Sequence, residues 1–196
     1  GRQGVVLDAT VNLSASPYHA NKSGIRVAVA RSAAASLNHP FLLANQVGGN
    51  DDLLFDGRSV IAWPNGTAVI APAWKEGILI ADLSSPEGCV WIGDGELSIL
   101  GSDEDIEDDE DDLLDAIIIG LSDYCRKSGI SKIVLGLSGG IDSALAACVA
   151  SAAVGPANVT GISMPSRHSS QHSIDDARAT AEALGVEFSL QPITEL

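Results

Sequence analysis

Ile133-Val134-Leu135-Gly136-Leu137-Ser138-Gly139-Gly140-Ile141-Asp142-Ser143 decides the fold of this chain. A strand-length apolar run enters a Ser/Gly turn, and an alanine-rich helix starts at once from Asp142 towards Ala153. Two adjacent glycines admit backbone conformations closed to other residues and let a ligand approach the main chain. Unpaired N–H groups at the helix start, with the positive dipole end, face whatever sits in the turn. An anion fits there, most naturally a phosphate. The hydroxyls of Ser138 and Ser143 add donors, whereas Asp142 has the wrong charge for a bare phosphate. Its carboxylate makes sense once a divalent cation bridges the two, because Mg2+ takes carboxylate and phosphate oxygens together. The bland alternative is a tight strand-to-helix turn that binds nothing, and all six positions from Ser138 to Ser143 weigh against it. This is not a Walker loop: it lacks the lysine and is shorter.

Downstream, Pro156 breaks the chain and 158–164 reads as a second strand, ended by Pro165. A loop over 166–172 follows. Ser173, with Asp176 three residues on, has capping-box form with the shorter acid. A helix to Leu184, a Gly185 stop and a strand over 186–191 complete this part. Upstream, Leu113, Leu114, Ile117, Ile118, Leu121 and Tyr124 repeat at helical spacing, Arg126 and Lys127 suit the negative helix end, and Gly129 is a stop. The second half is therefore β–α–β–α–β, the start of a doubly wound parallel sheet. Such sheets bind ligands at the carboxyl ends of their strands. Both loops lie at such ends, which fits one nucleotide site with phosphates on the first loop and base and ribose near the second.

The first half alternates differently. Val5-Val6-Leu7 and 10–13 are β-rich, and 21–38 is an amphipathic helix with the stripe Ile25, Val29, Ala33 and Leu37. His39-Pro40 ends it, 41–47 is a buried strand, and 48–52 is a loop. A hairpin joins 58–63 to 67–71 through Pro64-Asn65-Gly66, and 77–83 adds a strand. The order implies an α/β layer whose sheet ends in antiparallel strands.

At 196 residues and 45% hydrophobic content, the chain is long enough for one sizeable domain or two small ones. No apolar run approaches a membrane span. The chain opens at Gly1 and its only methionine is Met164, so we expect a piece of a longer protein. Net charge is −15, with 12 of the 26 acids between Asp94 and Asp115. A general acidic surface argues against nucleic-acid binding, and 94–112 is expected to be a mobile, solvated linker. Cys89, Cys125 and Cys148 show no metal-ligand spacing and no neighbouring base, so they are expected to be structural. A cytoplasmic location is the default. His168 and His172 lack the H-E-x-x-H context, and Arg167 is either a phosphate or carboxylate partner or simply exposed.

Ser-Gly-Gly-Ile-Asp-Ser at 138–143 resembles the pyrophosphate loop of the N-type ATP pyrophosphatases, which split ATP to AMP and pyrophosphate to activate a carboxylate or carbonyl. The 12–19 stretch Asn-Leu-Ser-Ala-Ser-Pro-Tyr-His, then Asn45-Gln46-Val47-Gly48-Gly49 and Phe55-Asp56-Gly57-Arg58-Ser59, are similar to the back half of a nitrilase-type amidase domain. The pairing resembles glutamine-dependent NAD synthetase. It implies the C-terminal part of a nitrilase-like α-β-β-α domain over 1–93, the linker 94–112, and over 113–196 the first βαβαβ part of an adenine nucleotide alpha hydrolase-like domain.

By that resemblance the parent enzyme uses ATP and Mg2+ to adenylate the nicotinate carboxylate of deamido-NAD, and ammonia from glutamine displaces AMP. The carried-over ATP positions are Gly136, Leu137, Ser138, Gly139, Gly140, Ile141, Asp142, Ser143 and Met164, with Asp142 on the metal and backbone around Met164 on adenine. Ser16 matches a serine that hydrogen-bonds glutamine, with Ser14 second to it; serines capping a strand end are the competing reading. The family's catalytic Cys, Glu and Lys lie outside this chain, so the fragment alone is expected to be inactive. Its partners are small molecules and, in the full-length protein, further copies of itself. A nucleotide-binding module without chemistry, or another N-type ATP pyrophosphatase, remain the alternatives.

Overall fold

The computed structural model describes residues 6–20, 22–101 and 110–193, with only the backbone at 110 and 111. Val5, Asn21 and the stretch 102–109 lie outside that range, and with them the middle of the expected linker. The chain forms two compact units, Gly1–Ala116 and Ile117–Leu196.

The first unit contains β1 (Thr10–Ser14), α1 (Ser23–Leu37), β2 (Phe41–Asn45), β3 (Val47–Asn50), β4 (Leu53–Asp56), β5 (Val60–Ala62), β6 (Ala68–Ile70), β7 (Gly77–Ile80), β8 (Val90–Gly93) and β9 (Glu96–Ile99). Its main sheet runs β1-β2-β5-β6. β1 is parallel to β2, and α1 supplies the crossover that parallel pairing requires. β5 and β6 close the sheet as an antiparallel hairpin across the Asn-Gly turn.

One face of this sheet carries α1, whose Val27, Ala30 and Ala34 pack on Phe41, Leu43 and Val60. The expected stripe is out of phase by one position: Ile25 is 62% and Val29 56% exposed, while Arg26 is buried. Arg26 turns inward because both arms of its guanidinium meet the Asp56 carboxylate. Alanines beside it bury completely and let the helix sit close to the strands. A charge partner, not hydropathy, therefore sets the phase.

The other face carries the antiparallel sheet β7-β8-β9, through Ile61, Trp63 and Val69 against Cys89, Leu79 and Leu100. Five further expectations change in this unit. The 48–52 loop is the β3–β4 hairpin with its turn at Asp51-Asp52, and the strand expected over 41–47 divides between β2 and β3. The strand at 77–83 stops at Ile80, and Val6-Leu7 form no strand. The acidic stretch opens as β9 rather than as linker, joined to β8 by Asp94-Gly95 with both residues at positive φ (53° and 79°). That is the geometry of a tight two-residue hairpin turn.

α2 (Glu110–Ser128) begins in the first unit and ends in the second. Its expected apolar face is again displaced: Leu113 and Tyr124 are exposed, while Asp112, Ala116 and Cys125 are buried. Leu121 alone of that stripe packs on the second core.

The second unit continues with β10 (Ile133–Gly136), α3 (Ile141–Val154), a 3-10 turn Pro156–Asn158, β11 (Val159–Ser163), α4 (Gln171–Leu184) and β12 (Glu187–Leu190). The three strands are all parallel in the order β10-β11-β12, as the alternation predicts. Leu137, Ala147, Val159, Ala177, Ala181 and Val186 form the core between sheet and helices. α4 starts three residues earlier than the sequence suggests: Ser170 is its cap and accepts from the Ser173 N–H at 3.1 Å. Asp176, expected to complete a capping box, instead pairs with His172 at 2.9 Å.

Candidate functional site

The turn between β10 and α3 is held from below and left open above. Leu137 donates its N–H to the Ile162 carbonyl at 2.8 Å and buries its side chain against β11. A Cβ on Gly161 would lie 2.4 Å from that side chain, so Gly161 makes room for it. The next residue turns outward. The Ser138 N–H donates to Ser143 Oγ at 3.2 Å, the two serine hydroxyls lie 3.1 Å apart, and Gly140 N–H donates to Ser138 Oγ at 3.2 Å. Ser143 Oγ donates to the Gly140 carbonyl at 2.9 Å. These contacts are exposed, so an incoming anion can replace them without uncovering a buried polar group.

Helix α3 has no side-chain cap: Gly140 is the N-cap, extended at φ −90°. The first-turn N–H groups have no partner within the helix. Asp142 and Ile141 sit exposed in that first turn.

Gly139 shows why the loop has this composition. Its φ is +80°, and a Cβ there would stand 2.3 Å from the Ser173 carbonyl oxygen and 2.9 Å from Ser173 Cα. The loop thus leans on the first turn of α4 with no room for a side chain. The two loops at the strand ends also meet. A pocket of about 110 Å³ is lined by Leu137, Ser138, Ser163, Met164, Ser169 and Ser173, among others. Met164 reaches back so that its Cε would touch a Cβ on Gly136 at 3.5 Å. The structure therefore brings Gly136, Ser138, Gly139 and Met164 to one place at the carboxyl ends of β10 and β11, as the topology predicts.

Ser14 and Ser16 lie at the end of β1, in the first unit. Their neighbourhood has a hub that the sequence reading quoted without a role, Asn45. Its Oδ1 accepts from Ser16 N–H at 2.9 Å, its Nδ2 donates to the Gly57 carbonyl at 2.9 Å, and its N–H donates to Ser59 Oγ at 3.0 Å. The Ser14 carbonyl accepts from Gln46 N–H at 3.0 Å. The signal that marks Asn45 is its place at the end of a buried strand, where an amide serves two loops at once.

Beside this hub runs a chain of buried charges. Asp56 is fully buried and takes both arms of Arg26; Arg58 Nη1 stands 3.5 Å from it. Arg58 also donates to both Asp112 oxygens, at 3.2 and 2.9 Å, and Trp74 Nε1 donates to Asp112 Oδ1 at 2.6 Å. Burial raises the Asp112 pKa, but hydrogen bonds from Arg58, Trp74 and Tyr18 and the Arg58 charge outweigh it and hold the carboxyl below its ordinary value. Asp112, expected to be a solvated acid of the linker, is a buried acceptor.

Cys89 and Cys125 are buried and Cys148 is exposed on α3. Burial pushes the Cys89 thiol up, which suits a packing role. Among the described residues no group of three His, Cys, Asp or Glu side chains could hold a metal, and no helix is long and apolar enough to cross a membrane. His168 accepts from Arg167 Nε at 3.1 Å in an exposed loop.

Residues 113–196 match the family model described as NAD synthase, and residues 3–91 the one described as carbon-nitrogen hydrolase. The glutamine-dependent NAD(+) synthetase of Synechocystis sp. is 44% identical over 194 residues, which covers 97% of this chain and 33% of that one. That of Aquifex aeolicus is 39% identical, covering 95% of this chain and 37% of the relative. A solved glutamine-dependent NAD+ synthetase from Acinetobacter baumannii, in complex with adenosine diphosphate, matches with a TM-score of 0.78 at 32% identity, over 96% of this chain and 34% of that chain. The chain spans about a third of the length of these relatives.

Proposed function

We propose that this relative of the glutamine-dependent NAD synthetases carries the ATP-holding loop of a ligase that amidates deamido-NAD, together with part of its glutamine-handling domain. The observation that carries the reading is the loop at 138–143, where Gly139 packs on Ser173 with no space for a Cβ and an uncapped helix start lies open beside it. That cradle fits a nucleotide's phosphates. That a solved relative is in complex with adenosine diphosphate supports the nucleotide-binding reading.

In this reading the N–H groups at 139–143 and the hydroxyls of Ser138 and Ser143 receive the phosphates, and backbone at Met164 receives adenine. Asp142, exposed in the first turn of α3, would hold a Mg2+ ion beside the phosphates, since Mg2+ is bound by one or two carboxylates together with substrate phosphates. Bound there, the ion would supply positive charge against the departing pyrophosphate. A carboxylate oxygen of deamido-NAD bonds to the α-phosphorus and pyrophosphate leaves. Ammonia nitrogen then bonds to the acyl carbon, and AMP leaves with the bridging oxygen. The loop's fixed donors act on charge that develops during the first step. Ser16 and Ser14, fixed through Asn45 and Gln46, serve the glutamine side. The glutaminase-like part occupies 1–93 and the synthetase part starts at 113; the join at 94–112 includes β9 and the head of α2.

The test is NAD formation by the full-length protein from deamido-NAD, ATP and Mg2+, with ammonium or glutamine as nitrogen source. AMP and pyrophosphate equal to NAD formed is the expected result. ATP binding with no AMP released would make this a nucleotide-binding module, and AMP formed only with a different acceptor would make it another adenylating enzyme.

A further inference from the structure

Asp112 collects donors from three separate loops. Tyr18 comes from the segment after β1, Arg58 from the β4–β5 connection and Trp74 from the β6–β7 connection. Two of these donors, Arg58 (φ 47°) and Trp74 (φ 59°), hold left-handed backbone that side-chain-bearing residues adopt at a cost. Such strain persists where the surroundings over-determine it, and it clusters at functional sites. Tyr18 and Trp74 also pack edge to face at 4.9 Å, so the three loops close on each other around one carboxylate.

The same loops hold Ser16. Gly57 and Ser59, on either side of Arg58, are the partners of Asn45, and Asn45 accepts from the Ser16 N–H. Tyr18, two residues after Ser16, is tied by its own N–H to the Leu54 carbonyl at 2.6 Å. Hydrogen bonds, linked through the short main-chain steps at 57–59 and 16–18, thus join the first turn of α2 to the serine segment at the end of β1.

We propose that Asp112 is a positioning residue for glutamine use: by fixing Arg58, Trp74 and Tyr18 it keeps the Ser14–Ser16 segment in its glutamine-holding shape. It touches neither glutamine nor nucleotide. The proposal rests on the glutamine-side reading of Ser16 given above. Asp112 lies with its three donors in the first unit, on the head of a helix that runs on past Ala116 into the second. Glutamine handling is thereby made conditional on the head of α2 being in place.

The experiment uses the full-length protein and Asp112→Asn, which keeps the shape but turns an NH2 group towards the Arg58 donors. Loss of a charged, buried partner predicts a KM for glutamine raised by about tenfold, with ammonium-driven NAD formation within about twofold of wild type. Trp74→Phe, which removes one donor, moves the same way by less. Parallel loss of both nitrogen sources would mean a merely structural role, and an unchanged glutamine KM would overturn the proposal. Amide exchange at 14–18 gives an independent readout, because the Ser16 and Tyr18 N–H groups are bonded here. Asp112→Asn should accelerate exchange in that segment, and unchanged protection would equally overturn the proposal. If wild type makes no NAD from ammonium, the functional reading fails while the exchange result still decides the positioning role.

Discussion

Replacing Gly139 by alanine tests the phosphate loop at its most constrained point. Two costs add. A side chain at φ +80° occupies the left-handed region, which disfavours L-residues by about 1–2 kcal/mol. The new Cβ would also stand 2.3 Å from the Ser173 carbonyl oxygen, a backbone atom at the start of α4 that cannot swing aside as a side-chain tip would. Shifts of that kind cost about 1–3 kcal/mol. The total is about 2–5 kcal/mol. Relief comes from lifting the loop off α4, so the cost reappears as the work of restoring the phosphate-holding shape. At tenfold per 1.4 kcal/mol, ATP affinity should weaken by at least about 25-fold. The assay is a calorimetric titration of the full-length protein with ATP and Mg2+, alongside denaturant unfolding. Gly129→Ala is the control: its φ is +70° with nothing within 4 Å of the added Cβ, so it carries the backbone cost without the clash. Gly139→Ala that binds ATP within twofold of wild type and unfolds like the control would refute the reasoning.

Three further outcomes follow from the same geometry. Asp142→Asn should lower NAD formation by about 100-fold or more while leaving denaturant stability unchanged, because the carboxylate is exposed and its proposed work is metal binding; equal losses in both would contradict that role. Arg26→Ala leaves Asp56 buried with Arg58 and the Ser23 hydroxyl beside it, and should cost about 3 kcal/mol in urea unfolding, the low end for a broken buried pair; a change under about 1 kcal/mol would show that the pair adds little. Asp112 has a pKa lowered from 3.8, so its stabilising contribution is present above that value and is lost as pH falls through the lowered folded one. Unfolding at about pH 6 and about pH 3 should therefore differ less in Asp112→Asn than in wild type; identical differences would exclude the linkage.

Much of the second unit is legible in the sequence because its signals are local. Apolar runs between a Ser/Gly turn, Pro156 and Gly185 define three strands and two helices, and the carboxyl-end rule alone brings the 138–143 loop and Met164 together. The first unit is harder because its decisive contacts are long-range. Ile25 and Val29 look like a core stripe until Arg26 is seen to meet Asp56, thirty residues away. Likewise Leu113 and Tyr124 outrank Asp112 on any hydropathy scale, yet Arg58, fifty-four residues earlier, brings Asp112 inside. Not every miss was of that kind. Asp94-Gly95 between two short β-rich runs is a strong local hairpin signal, and the surrounding acids obscured it. Ser170 preceded Ser173 as a possible cap, and nothing local separates the two until the Ser173 N–H is seen to bond back.

In the proposed function the loop supports attack by a carboxylate on ATP. That step is tested most directly by giving the full-length protein deamido-NAD labelled with 18O in the nicotinate carboxylate, with ATP, Mg2+ and ammonium, and reading the products by mass spectrometry. One labelled oxygen in each AMP, none in pyrophosphate, and NAD in equal amount is the expected result. AMP without label, or ADP and phosphate in place of AMP and pyrophosphate, would contradict it.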